Sequence, residues 1–252
     1  MTRIFPFLFF CLLGFSVVAP AELILLNGSF ENSQLDTADG TFPNRDLVTD
    51  WFEESHGIDV NTTSDESTEQ ALEEGGNRPL TDAGSFWGHF IDRTEDSYTP
   101  AMFQNLGTWN SGDATLYEVS ATLGDRSNQF FGSLLFEFYS GDVTGPALAD
   151  GTSFFSSVPG AQLLDQQSSI TLNGSSNQSL MGTASFNHVF DLQGLTDGDE
   201  VYLRISMPED SGFSSPRQSL IDDITLTAIP EPSTLLLMGT AVLIGLGLRR
   251  RR

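Results

Sequence analysis

Cysteine is almost missing from this chain of 252 residues, lysine is missing altogether, and histidine occurs three times. The one cysteine, Cys11, lies inside an N-terminal apolar run, so a chain that loses that run has no thiol and forms no disulfide. The bulky Phe10 before it argues against a lipid-modified cysteine. Stability must then come from packing, hydrogen bonds or metal. All 11 basic residues are arginines, set against 34 acids. Setting aside Arg3, Arg249 to Arg252 and Glu231 at the ends leaves 33 acids and 6 arginines between them, a net charge of −27. So acidic a surface repels nucleic acid and anionic membrane, and there is no basic patch to engage either. It suits divalent cations, and it keeps a secreted protein in solution. Signatures of catalysis are lacking as well. His56, His89 and His188 are widely separated, and no Gly-x-Ser-x-Gly elbow, His-Glu-x-x-His helix or phosphate loop occurs. Acids are so abundant that any two could be drawn as a glycosidase dyad, which singles out none. The expectation is a protein that is not an enzyme.

Both ends carry apolar runs. Arg3, the run Ile4 to Val18 and Ala19-Pro20-Ala21 have the form of a secretory signal peptide over residues 1–21, cut by signal peptidase after Ala21. The run falls short of the ~20 apolar residues a span requires, and polar sequence follows at once. At the other end Pro230-Glu231-Pro232-Ser233 precedes an uncharged stretch from Thr234 to Leu248, and Arg249, Arg250, Arg251 and Arg252 finish the chain. A helix rising about 1.5 Å per residue over that stretch spans roughly 21 Å against a hydrocarbon core of about 30 Å, so it is a short transmembrane helix. Terminal arginines snorkel and hold the cytoplasmic side, placing the body outside. The prolines keep helix from running back into the body.

The order Pro-Glu-Pro, short apolar helix and terminal basic cluster closely resembles the PEP-CTERM sorting signal, over residues 229–252. The resemblance implies recognition by an exosortase, a membrane transpeptidase-like enzyme of bacteria that make exopolysaccharide. It also implies cleavage near Pro230 to Pro232, with transient anchoring in the inner membrane before transfer to the cell surface or extracellular matrix. An ordinary tail anchor is the competing reading, and it has no need of so short a span.

Residues 22–228 read as one all-β domain, a β-sandwich jelly roll. Tyr117, Val119, Ala121 and Leu123 alternate with polar residues and predict a strand ended by Gly124-Asp125. Leu134, Phe136 and Phe138 form one face of a second strand, and Val201, Leu203, Ile205 and Met207 one face of a third; Leu220 to Leu226 is the last. Gly, Ser, Asn and Asp clusters separate such runs, as in sandwiches. The polar stretch Asn61 to Arg78 reads as a surface loop.

Asn27-Gly28-Ser29-Phe30-Glu31, the later Trp51 and the closing Leu220-Ile221-Asp222-Asp223-Ile224 resemble galactose-binding-like modules related to carbohydrate-binding modules, as do Phe103 to Gly107 and Tyr117 to Arg126. Period-two alternation puts Asp222 on one face with Leu220, Ile224 and Leu226, so its carboxylate points inward, where it needs a partner. The resemblance implies a structural calcium held by Glu31 and Asp222 with backbone carbonyls, a donor set that suits the ion. Backbone amides alone are the alternative partner. Trp87 and Trp109, flanked by Gly, Ser and Asn, are the candidate sugar-stacking platforms, with packing in the core as the alternative. Three functions stay open: a surface or biofilm-matrix protein that meets extracellular polysaccharide or none, a carbohydrate-binding module, and a jelly-roll enzyme.

Overall fold

Alternating apolar and polar residues separated by turn-forming clusters fold here as strands, as the period of two requires. The computed structural model describes residues 22–30, 50–54, 68–70, 88–92, 99, 101–124, 130–141, 153–169, 183–208 and 217–229. Its elements are β1 (Phe52–Glu54), β2 (Thr68–Gln70), β3 (Gly88–Asp92), β4 (Ala101–Thr108), β5 (Leu116–Gly124), β6 (Phe130–Phe131), β7 (Leu135–Gly141), α1 (Phe154–Ser157), β8 (Gln162–Ser168), β9 (Thr183–Asp191), β10 (Glu200–Ser206) and β11 (Arg217–Ala228). They form a two-sheet sandwich. One sheet runs β1-β4-β10-β7-β8; the other runs β2-β3-β11-β5-β9, with β6 parallel to the start of β11. The remaining pairings are antiparallel.

The core between the sheets uses the residues that alternation selects. Tyr117, Val119, Ala121 and Leu123 of β5 are buried against Phe136 and Phe138 of β7 and Val201, Leu203 and Ile205 of β10. Aromatic pairs join the sheets: Phe136 stacks on Phe186 with centroids 4.1 Å apart, and Phe138 meets Phe190 at 4.8 Å. Each such ring, fully buried, contributes about 1.5–3 kcal/mol, which is how a body without disulfides is held. Two expectations are corrected. The stretch expected as a loop, Asn61 to Arg78, contains the short strand β2. The second concerns β11, whose pairing with β5 slips between Asp222 and Thr225, with Asp223 at φ 50°. This bulge reverses the alternation. Ile221 and Ile224, three apart, both face the core, while Asp222 lies opposite Thr122 on the other face. Asp222 is nonetheless buried, so burial was inferred correctly from the wrong face.

The first segment, residues 22–30, is bound across both sheets. The buried Gln104 of β4 accepts the Leu26 amide at 2.7 Å and donates to the Leu26 and Asp50 carbonyls at 2.9 Å each. Ile224 of β11 donates its amide to the Gly28 carbonyl at 2.9 Å. A Cβ on Gly28 would stand 1.9 Å from the Ile224 carbonyl oxygen, so only glycine allows this approach. Gly28→Ala should therefore cost about 1–3 kcal/mol as the backbones are forced apart. A urea midpoint unchanged from the parent would show that this junction yields freely.

Candidate functional site

The outer face of the five-stranded sheet is where polar chemistry is concentrated. On β10, Tyr202, Arg204 and Ser206 alternate with the core residues, and on β7, Glu137 and Tyr139 do the same; all are buried. The register sets Arg204 directly opposite Glu137 on β7 and opposite Phe103 on β4. Glu54 arrives from β1 at the edge. The Arg204 Nε donates to Glu54 Oε2 at 2.7 Å, and its Nη1 donates to Glu137 Oε2. Tyr139 donates its hydroxyl to Glu137 Oε1 at 2.8 Å, and the Ser153 and Ser206 hydroxyls reach Glu54 and Glu137 at 3.3 Å. Burial alone would pull the guanidinium pKa down, but the charges and hydrogen bonds of Glu54 and Glu137 outweigh it and hold Arg204 above its ordinary value. Burial, followed by the bond to Glu137, pushes the Tyr139 phenol well up.

This cluster is roofed by the chain itself. Phe154 of α1 is fully buried among Phe103, Tyr139 and Tyr202, with centroids 5.0 to 5.6 Å apart, and Val158 completes this second small core. Phe155 stays half exposed, edge-on to Tyr139, with the Arg204 guanidinium 5.6 Å from its centroid. Two carboxylates, one guanidinium, a phenol and two hydroxyls thus share one closed network. Sequence reasoning missed it, although Tyr202-x-Arg204-x-Ser206 and Glu137-x-Tyr139 are its signature: polar residues that alternate with a core face and carry opposite charges.

The expected site residues fall elsewhere. Asp222, 2 % exposed, sits midway along β11 and accepts the Asp223 amide at 2.7 Å through Oδ1. That is the backbone-amide partner weighed against calcium, and it satisfies this oxygen without metal. A buried oxygen ligand beside the Gly28 to Ile224 junction fits a hard cation in kind, but no group of three or more His, Cys, Asp or Glu among the described residues could hold one. Glu31, Trp87 and the sorting residues Pro230, Glu231, Pro232 and Arg249 to Arg252 lie outside the described residues.

Trp109 is corrected: it is 8 % exposed within the core and donates its indole N–H to the Ala114 carbonyl at 3.0 Å. The turn around it is tied by backbone bonds to Gly198 and Asp199, and the side chain is packed in the core instead of being presented at a loop tip. Trp51 packs beside Phe30 and donates its indole N–H to the Asn27 carbonyl at 3.2 Å. Asp222 and Trp109 do not converge, one being mid-strand and the other beyond the end of β4. Among the described residues no helix is long and apolar enough to cross a membrane; the runs 4–18 and 234–248 lie outside them.

Arg204→Met leaves two buried carboxylates without their cation and should cost about 3–5 kcal/mol, read from the denaturant midpoint. A loss under 1 kcal/mol would mean that water reaches the cluster. The phenol gives a pH signature. Its folded pKa lies above its unfolded value near 10, so the stability it contributes is complete below about pH 10 and is lost as pH rises beyond it. Tyr139→Phe should flatten the alkaline decline in melting temperature, and an equally steep decline would remove this phenol as its source.

The fold that carries this cluster has counterparts among known proteins. Among solved structures, a cyclase from Fischerella sp. TAU superposes with a TM-score of 0.50 at 13 % identity, covering 84 % of this chain and 98 % of that one. A CBM4 carbohydrate-binding module is similar at a TM-score of 0.42 and 12 % identity, over 81 % of this chain and 98 % of that one. The K1 cleaved adhesin domain of Lys-gingipain from Porphyromonas gingivalis W83 gives 0.39 and 12 %, over 80 % and 96 %. At 13 % identity the cyclase speaks for the fold alone, and the other two likenesses carry no argument. No curated protein matches the chain. Residues 228–252 match the PEP-CTERM protein-sorting motif family. The chain thus carries a PEP-CTERM protein-sorting motif at residues 228–252, which implies processing by an exosortase, behind a two-sheet β-sandwich body.

Proposed function

We propose that the body is an adhesive or structural component of the cell surface or extracellular matrix, in an exopolysaccharide setting, and that it works without catalysis. The observation that carries this reading is the sorting motif at 228–252, set directly behind a folded sandwich. In this reading signal peptidase removes residues 1–21, the apolar run 234–248 holds the precursor briefly in the inner membrane, and exosortase passes the body outward. The body is a galactose-binding-like jelly roll. Its strand orders, β3-β11-β5-β9 facing β4-β10-β7-β8, support that assignment, because every successive pair of these strands except the β7-β8 hairpin crosses from sheet to sheet. The non-enzymatic part is supported by how the described acids are employed. Glu54 and Glu137 bind Arg204 under Phe154, and Asp113 and Asp199 cap their own turns. Such carboxylates are committed to structure.

With a net charge of −27 between its ends, the body meets neutral sugars through hydrogen bonds and stacking, and acidic polysaccharide through bridging calcium. A structural calcium on Asp222 and Glu31 would tie the first segment to the last strand. Calcium at ~100 times its dissociation constant would add about 2.7 kcal/mol. The test measures retention of the released protein on the producer's own extracellular polysaccharide, in millimolar calcium and in chelator, beside Asp222→Asn and Trp87→Ala. Retention in calcium, with a melting temperature lowered by chelator in the parent but not in Asp222→Asn, is expected. No retention in either condition would end direct adhesion to polysaccharide, and breakdown of the polysaccharide would overturn the non-enzymatic reading.

A further inference from the structure

The folded body and the sorting motif leave no slack between them. The last strand keeps its register with β5 to its end: Thr227 lies opposite Glu118, Ala228 opposite Tyr117, and Ile229 donates its amide to the Leu116 carbonyl at 2.8 Å. The next residue is Pro230, the first of the Pro-Glu-Pro motif. Between this last pairing and the apolar run that opens at Thr234 stand only residues 230–233. Four residues, however arranged, span at most about 14 Å. The headgroup layer alone takes roughly 5–7 Å of that. With that run in the membrane, as the exosortase reading has it, the end of the sandwich where the tail leaves would face the membrane at close range. The turns 109–115 and 192–199 are at that end, bonded through Leu192 to Thr115 and Trp109 to Asp199, and so is Glu22, whose carboxylate accepts the Ala228 amide at 3.4 Å.

An enzyme that cuts a peptide must hold it extended, with its backbone free to pair with the enzyme instead of with a sheet. Here the residues on the body side of the motif are already paired. They are also the ones most easily released. Ala228 and Ile229 are half-buried and Thr227 is exposed, whereas Ile224 and Ile221, further in, are buried in the core. Chain ends of this kind open locally while the rest stays folded.

We infer that the end of β11 is a latch on processing: residues 227–229 must peel from β5 before the Pro-Glu-Pro segment can enter the enzyme, so local opening of this strand end limits removal of the tail. The inference rests on the exosortase reading. It can be tested on the full chain in cells that carry an exosortase, following conversion of precursor to shortened product by pulse-chase and locating the new C-terminus by mass spectrometry. One variant inserts eight Gly and Ser residues between Ile229 and Pro230, which frees the motif without disturbing the strand. A second, Thr227→Cys with Glu118→Cys, locks the strand end. These residues are directly opposite in a hydrogen-bonded pair, where Cα atoms stand about 5.5 Å apart, within disulfide range. An exported chain forms such a bond, and the body offers no competing thiol. Conversion should be several-fold faster with the insertion, several-fold slower with the lock, and restored when the locked chain also carries the insertion. Equal rates for the parent and the insertion variant would overturn the latch while leaving exosortase processing intact. A parent whose tail is never removed would overturn both.

Discussion

The six-stranded sheet depends on one strand that comes last. β11 lies between β3 and β5, and its first residues also pair with β6, so that sheet is incomplete until Arg217–Ala228 is in place. The two neighbours it joins are separated from it by about a hundred residues of chain, and pairing at such separation bears a heavy loop-closure cost before any contact repays it. The first segment waits on the same strand. Gly28 accepts the Ile224 amide and fits only because it has no Cβ. Folding of the body is therefore complete only when the residues directly before the sorting motif are in place, since Ile229 is followed directly by Pro230.

The other sheet meets a different demand. A two-sheet sandwich needs one apolar face per sheet, but β7 and β10 are buried on both. Their outer face is covered by α1 and holds Phe103, Tyr139, Tyr202 and Phe154 around a guanidinium flanked by two carboxylates. A buried ion pair is seldom more stabilising than a well-packed apolar replacement. What it adds is geometry. Arg204 joins β1, β10 and β7 at fixed register, and a slip by one residue would turn it into the apolar core and strand both acids.

How much of this could be read from the residues divides along physical lines. Strands β5 and β10 were legible because alternation is a local property, and Tyr117, Val119, Ala121 and Leu123 with Val201, Leu203 and Ile205 are buried where it placed them. The bulge in β11 was not. Asp222 and Asp223 leave no mark in the pattern until a partner strand shows that two residues oppose one, so the face assigned to Asp222 came out reversed. Trp109 misled for a related reason. Its Gly, Ser and Asn neighbours are those of an exposed loop, and the backbone bonds that tie its own residue down come from the distant Gly198 and Asp199. The outer-face cluster was half visible, since opposite charges at Glu137 and Arg204 sit on strands whose alternate residues are apolar. The roof over them, Phe154, comes from a four-residue helix too short to carry a period.

Acidic residues at the end of the body where the tail departs serve two demands together. In the turns 109–115 and 192–199 the charged residues are Asp113, Asp197 and Asp199, with no arginine among them. Each closes the turns by accepting a backbone amide: Asp113 from Asn110, Asp197 from Ser111, Asp199 from Thr196, at 2.7 to 2.8 Å. An uncharged asparagine could make such bonds, so hydrogen bonding alone does not demand acids there. The second demand is met by charge: an ionised acceptor makes a bond roughly twice as strong as a neutral one, so each acid closes its turn more firmly than an amide side chain would, and the same charge keeps this end of the body in solution.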